Sequence, residues 1–275
     1  MHGGRRARGA PHRRSRGAFL ARAPPGQAQR DRVIRVRFLG TANAFSAGGR
    51  SNACIQLTAG RSSILLDCGG SAMPMLKRFS DLAAIDTVVV SHLHGDHFGG
   101  LPYLLMDQHF AKRSRPLVIA GPRELEARLQ QTSIGLYQDF FATTPLSFAV
   151  EHRRFGDGDI SVGNVSLRPV PVTHVPESDP HGVRVEVGGK LIAYSGDATW
   201  SSALPELAHG ADLFICEATN FSTDDPAHLC YRTLMAHRRE LDCKRIILTH
   251  FGDETLAHLD EVELERAEDG LELEL

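Results

Sequence analysis

The chain has 275 residues, 42% of them hydrophobic and 23% charged, a composition that excludes a disordered, collagenous or coiled-coil protein. Its formal charge of −2 hides an asymmetry, because residues 1–30 carry eight arginines and no acid, leaving 23 basic against 33 acidic residues and a charge of −10 for the rest. An acidic body is a poor partner for a phosphate backbone, so nucleic acid is a disfavoured partner.

Residues 1–32 are rich in Arg, Gly, Ala and Pro and show no amphipathic period. Arg22 interrupts Ala18-Phe19-Leu20-Ala21, so the continuous apolar core of a secretory signal is missing. This head reads as a disordered extension, with the folded domain running over 33–275. Short β-branched runs at 33–39, 53–58, 62–67 and 87–91 predict strands. Helical periods follow at 72–79, 101–112 and 122–137, the last with Pro122 at its first position. The middle is strand-rich, with runs at 146–153, 164–173, 182–187 and 190–195 and a hairpin turn at Gly188-Gly189. The order then becomes helix 201–208, strand 212–216, helix 229–241 and strand 245–249, and the acidic stretch 261–275 reads as an edge strand or a frayed tail. An α/β domain of two sheets with helices outside them accounts for this order better than one doubly wound sheet. No apolar stretch approaches the roughly 18–20 residues that span a bilayer, so neither a membrane segment nor a membrane partner is expected. Five scattered cysteines without a C-x-x-C pair fit reduced thiols in the cytoplasm.

The chemistry concentrates in Ser91-His92-Leu93-His94-Gly95-Asp96-His97-Phe98-Gly99-Gly100, between an apolar strand and a helical pattern. Four ligand-type side chains within six residues are costly to crowd together unless a cation compensates them, and imidazole with carboxylate suits zinc and similar divalent ions. Three more ionisable residues stand at the ends of apolar runs: His174, Asp197 after Tyr194-Ser195-Gly196, and His250 after Ile246 to Thr249. Each alone is weak, since a single strand-end His is commonly a surface or capping residue. Together they complete seven ligands, enough for two metals with Asp197 between them. His181, seven residues past His174, is a rival ligand, and strand-end placement favours His174. His109 reads as packed or surface, His152 as exposed, and Trp200 as a pocket wall or a packing residue.

These motifs resemble the ordered metal-binding motifs of the metallo-β-lactamase superfamily. Phe38-Leu39-Gly40-Thr41, Cys216-Glu217-Ala218-Thr219 and Thr249-His250-Phe251-Gly252 are most similar to the tRNA 3′-processing endonuclease (ribonuclease Z-like) branch, over roughly residues 33–260. The resemblance implies an αββα sandwich of two mixed sheets flanked by helices, with a dinuclear site at its mouth. It implies that His92, His94 and His174 hold one metal, that Asp96, His97 and His250 hold the other, and that Asp197 bridges. Asp96 would also orient or deprotonate the attacking water. His228 stands where the branch carries a histidine that assists leaving-group protonation, with Cys230 in place of the usual hydroxyl residue and Glu217 as its expected partner. A cap on helix 229–241 is the alternative role for His228. The branch's protruding tRNA-gripping arm has no room in the 23 positions from His174 to Asp197.

The expected function is therefore dinuclear metal-dependent hydrolysis, in which a hydroxide formed on two divalent ions, zinc or else Mn2+ or Fe2+, attacks a phosphodiester or a small ester-like substrate. The missing arm favours a small-molecule substrate. Alternatives on the same site are a lactone, aryl-ester or sulfate-ester hydrolase, or a ribonuclease Z-like RNA endonuclease. The non-enzymatic alternative is an RNA-binding module that uses the basic head. Relatives in the superfamily are often dimers, so a homodimer is expected.

Overall fold

A computed structural model describes Met1 and residues 33–156 and 158–275. The expectation of a disordered extension over 1–32, and any use of that head as a nucleic-acid arm, lie outside the described residues.

The first sheet contains β1 (Ile34–Gly40), β2 (Cys54–Ala59), β3 (Ser62–Leu66), β4 (Thr87–Val89), β5 (Leu117–Gly121) and β6 (Val150–Arg154). The second contains β7 (Ile160–Val162), β8 (Val165–Pro171), β9 (His181–Val187), β10 (Lys190–Tyr194), β11 (Leu213–Glu217), β12 (Ile246–Thr249) and β13 (Glu265–Arg266). A last strand, β14 (Glu272–Glu274), returns to the first sheet, so the orders are β14-β1-β2-β3-β4-β5-β6 and β13-β12-β11-β10-β9-β8-β7. Both sheets are mixed. Hairpin neighbours such as β2 and β3 run antiparallel, whereas β3, β4 and β5, and β10, β11 and β12, run parallel across helical connections.

The period of two along each strand sorts its side chains into layers. Ile34, Val36 and Phe38 of β1, Ile64 and Leu66 of β3, Val183, Val185 and Val187 of β9, and Ile192 and Tyr194 of β10 meet between the sheets. The alternate residues face outward. Leu65, Val88 and Ile119 pack under α1 (Met73–Phe79), α3 (Leu101–Phe110) and α4 (Leu125–Leu136), with the single-turn α2 (Gly95–Phe98) leading into α3. Ala193, Phe214, Cys216 and Leu248 face the helices of the other side, among them α6 (Ala203–Ala208), α7 (Tyr231–Ala236) and α8 (Asp253–Ala257). A further short helix, α5 (Gln138–Phe141), follows α4. The result is the four-layer αββα sandwich expected from the sequence, and no helix among the described residues is long and apolar enough to cross a membrane.

Several elements differ from the sequence reading. The helix expected from Pro122 begins at Leu125, because Pro122 instead opens a turn, its carbonyl accepting from Leu125 N at 3.0 Å. The helix expected over 229–241 stops at Ala236, where His237 leads into a single tight turn at Arg238–Glu240. Strand β7, whose Ile160-Ser161-Val162 alternation spans only three residues, is too short to be read as a strand from sequence. His152 on β6 is half-buried rather than exposed.

The C-terminal segment joins both sheets. Its β13 pairs in parallel with β12, and β14 pairs antiparallel with β1. Between them the Asp269 carboxylate accepts from Thr41 Oγ1 at 2.8 Å and Ser51 N at 2.7 Å, pinning this strap to the loop after β1. Replacing Asp269 with Ala removes two hydrogen bonds to a charged acceptor and is expected to cost about 1–3 kcal/mol. At about 2–4 °C per kcal/mol for a chain of this size, thermal unfolding should shift downward by about 2–12 °C, and an unchanged Tm would show that the strap is not held there.

Candidate metal centre

All seven ligand candidates lie on one face of the sandwich, at the ends of strands. His92, His94, Asp96 and His97 follow β4 in the first sheet, while His174 follows β8, Asp197 follows β10 and His250 follows β12 in the second. Three strand ends use the same backbone device. Asp67 after β3, Gly196 after β10 and His250 after β12 have φ of 60°, 58° and 57°. This left-handed kink redirects the chain abruptly, and it is costly for the two non-glycine residues, a form of strain that concentrates at functional sites. The His-rich loop also needs close backbone approach. A Cβ on Gly69 would stand 2.1 Å from Asp96 O, and one on Gly100 would stand 2.4 Å from Gly69 O.

Two clusters form around Asp197. In the first, His94 Nδ1 lies 3.1 Å from His92 Nε2 and 3.2 Å from His174 Nε2, and Asp197 Oδ2 lies 3.7 and 4.0 Å from the same two Nε2 atoms. In the second, His97 Nε2 and His250 Nε2 each lie 3.3 Å from Asp96 Oδ2, and 3.2 and 3.3 Å from Asp197 Oδ1. Ligand atoms at about 2.0–2.1 Å from a tetrahedral zinc stand about 3.4 Å apart, so both sets match the edges of a metal polyhedron. Asp197 turns one oxygen to each.

The hydrogen bonds behind the rings assign their tautomers. His174 Nδ1 donates to Ala227 O at 2.5 Å, and His97 Nδ1 donates to Asp67 Oδ2 at 2.7 Å. Ser91 Oγ donates to Asp67 Oδ2 at 2.9 Å and therefore accepts from His92 Nδ1 at 3.0 Å. Thr219 Oγ1 gives its proton to Glu217 Oε2 at 2.7 Å, the shorter and charged of its two acceptors, and so accepts from His250 Nδ1 at 2.9 Å. In neutral rings each of these partners leaves an Nε2 lone pair aimed inward, at other lone pairs and at carboxylates. Such an arrangement is repulsive unless a cation stands between the donors. His97 Nε2 and Asp197 Oδ1 are buried and hydrogen-bonded to nothing, although they lie 3.2 Å apart. Two orphaned buried atoms directed at one cluster are what a metal would satisfy.

The electrostatics agree. Burial opposes ionisation of Asp197, but His250, His97 and His92 overcome it and hold the carboxyl well below its ordinary range. Burial likewise opposes charging His97, yet Asp197, Asp96 and Asp67 raise its pKa well above the usual value. His92, more remote from carboxylates, is pushed well down by burial and by His97.

His228 sits beside both clusters with its side chain 24% exposed, its Nδ1 donating to Glu217 Oε1 at 3.2 Å and lying 3.8 Å from Asp197 Oδ2. Burial disfavours its charge, but the hydrogen bond to Glu217 and the nearby carboxylates raise its pKa to about 9. It does not cap the following helix, whose N-cap is Cys230. The rival His181 is outside the clusters and donates from Nδ1 to Asp179 O at 2.9 Å. Trp200 stacks on His237 at 4.4 Å, and His109 Nδ1 accepts from Ser147 N, so both pack away from the ligands.

The sequence reading missed the residues that hold the ligands: Asp67, Ser91 and Thr219. Asp67 alone had a readable signal, since it ends an apolar strand as His174, Asp197 and His250 do.

The family described as anti-Pycsar protein Apyc1 matches residues 34–266. An uncharacterized protein of Mycobacterium leprae, ML1173, is 31% identical over 195 residues, which cover 68% of this chain and 66% of that protein. The chain thus spans less than two thirds of the length of this relative. A ribonuclease Z from Haloarcula marismortui is 26% identical over 306 residues, covering 87% of this chain and 96% of that one. Among solved structures, the metallo-β-lactamase fold protein YhfI from Bacillus subtilis superposes with a TM-score of 0.71 at 19% identity, covering 88% of this chain and 99% of its own. The fold is therefore that of the metallo-β-lactamases.

Thr219→Val keeps the shape of the side chain and removes the hydroxyl that holds His250. Metal affinity, measured by chelator competition, is expected to fall about 10–100-fold, the usual effect of losing such a partner. An unchanged affinity would show that His250 needs no such support.

Proposed function

The chain belongs to the family of the anti-Pycsar protein Apyc1, and from that premise and its site we propose that it is a dinuclear metal-dependent hydrolase of small phosphodiesters, with zinc as the cation. The observation that carries this reading is Asp197, whose two carboxylate oxygens face two separate ligand sets. His92, His94 and His174 would hold one ion, Asp96, His97 and His250 the other, and Asp197 both. The imidazole-rich donor set suits zinc, with Mn2+ or Fe2+ as the alternatives. Bound ions would supply an acidified water at neutral pH and positive charge against the negative charge that develops on the phosphoryl oxygens.

The remaining work falls to side chains. Asp96 keeps 9% of its side chain exposed, so its carboxylate can accept a hydrogen bond from the attacking water and orient it. His228, held by Glu217 and open to solvent, donates the proton that the departing alkoxide needs. Thr219 links the support of His228 to a metal ligand, because its hydroxyl bonds both Glu217 and His250.

The stretch between His174 and Asp197 supports a small substrate. The single turn Pro176–Ser178 and the hairpin of β9 and β10 occupy it, with no segment that could project as an RNA-gripping arm. A small diester, such as a cyclic nucleotide, fits such a site better than a folded RNA.

Phosphodiester, lactone and sulfate-ester chromogens assayed side by side would test the proposal. Chelator-sensitive turnover of the diester is expected to dominate, and chelator-resistant turnover would contradict the metal reading. If His228 supplies the leaving-group proton, His228→Ala should slow a diester with an alkoxide leaving group by about 10²–10⁴-fold. A nitrophenolate leaves without that help and should be far less affected, so equal losses on both substrates would remove His228 from this role.

A further inference from the structure

The seven donors come in two sets, one from each sheet, and a centre built across a seam needs something to fix the spacing of its halves. Apolar contact between sheets is non-directional and sets distance better than angle, whereas a working site tolerates errors of only about 0.5 Å and 10–20°. Directly beneath the donors a buried side-chain hydrogen bond crosses the seam, beside the backbone bonds from His181 N to Ser91 O at 3.1 Å and from Leu93 N to Ser178 O at 2.9 Å. Tyr194 closes β10 with its ring on the inner face of the second sheet, and its hydroxyl donates to Asp67 Oδ2, at the end of β3 in the first, at 2.8 Å.

Both ends of that bond lead to ligands. Asp67 accepts from His97 Nδ1 at 2.7 Å, from Ser91 N at 2.7 Å and from Ser91 Oγ at 2.9 Å, and Ser91 Oγ in turn holds His92. With Tyr194 included, four donors converge on one carboxylate that is fully buried and held at a left-handed φ of 60°, so its plane is fixed from both sheets. At the other end, Asp197 stands three residues beyond Tyr194, after the Gly196 kink. The phenol stays a donor, since burial and the adjacent Asp67 push its pKa well up.

We propose that Tyr194 is a positioning residue of the metal centre, a cross-sheet tie that holds the His92–His97 loop and the Asp197 strand end in register before any metal binds. The inference rests on the two-cation reading above.

The test compares wild type with Tyr194→Phe, which keeps the ring and removes only the hydroxyl, and with Ile192→Val. Ile192 lies two residues earlier on the same strand and in the same core, so its loss of a methylene lowers stability without touching the network. Cobalt(II) is titrated into each metal-free protein at a temperature where all three are folded. Binding is read by the visible ligand-field bands and by competition with a chelator. Wild type and Ile192→Val are expected to share affinity and bands, while Tyr194→Phe should bind about 10–100-fold more weakly with altered bands. Wild-type affinity and bands in Tyr194→Phe would overturn the inference and leave the metal reading standing, as would equal weakening in both variants. Failure of the wild type itself to take up two ions would overturn the metal reading, and the inference with it.

Discussion

The organisation of this protein turns on an electrostatic constraint. Asp197 is almost fully buried, yet its two oxygens face His92 and His174 on one side and His97 and His250 on the other. Hydrogen bonds behind these four rings commit their Nδ1 atoms outward, so their lone pairs crowd the carboxylate. Protons can relieve part of this, as the raised pKa of His97 shows, but a proton on one ring does not serve two clusters. Two cations would, and they would turn a repulsive arrangement into a cohesive one.

The scaffold serves that constraint at each level. Parallel strands of both sheets end on one face, left-handed kinks at Asp67, Gly196 and His250 redirect the chain there, and glycines at 69 and 100 let the supporting loops approach the His-rich turn at backbone distance. The C-terminal strap adds the outermost strand at one edge of each sheet. The site is thus assembled from segments spread over almost the whole described chain, while outer hydrogen bonds to Ser91, Asp67, Ala227 and Thr219 keep the rings of His92, His97, His174 and His250 at a set angle.

Much of this was readable from the residues. Strand period and ligand crowding are local signals, so the layers, the His92–His97 turn and the strand-end positions of His174, Asp197 and His250 could all be read before any fold was known. The supporting contacts could not, because they link distant positions: Asp67 meets Ser91 24 residues later, His97 30 residues later and Tyr194 127 residues later. Exposure was also opaque where it depends on tertiary packing. His152 looked like part of a charged surface run, yet desolvation lowers its pKa. Helix ends failed for a similar reason, since the period over 229–241 continues through His237, where the backbone turns into a tighter coil.

The central claim is that one carboxylate serves two metal positions, and the most direct measurement is metal content per chain by elemental analysis, in wild type and in Asp197→Ala, purified without added metal. Two ions per chain in the wild type, falling to one or none in the variant while the protein stays folded, is the result the account requires. Two ions retained by the variant would mean that Asp197 does not join the clusters, and an absence of metal from the wild type after zinc is offered would mean that the seven donors hold no metal at all.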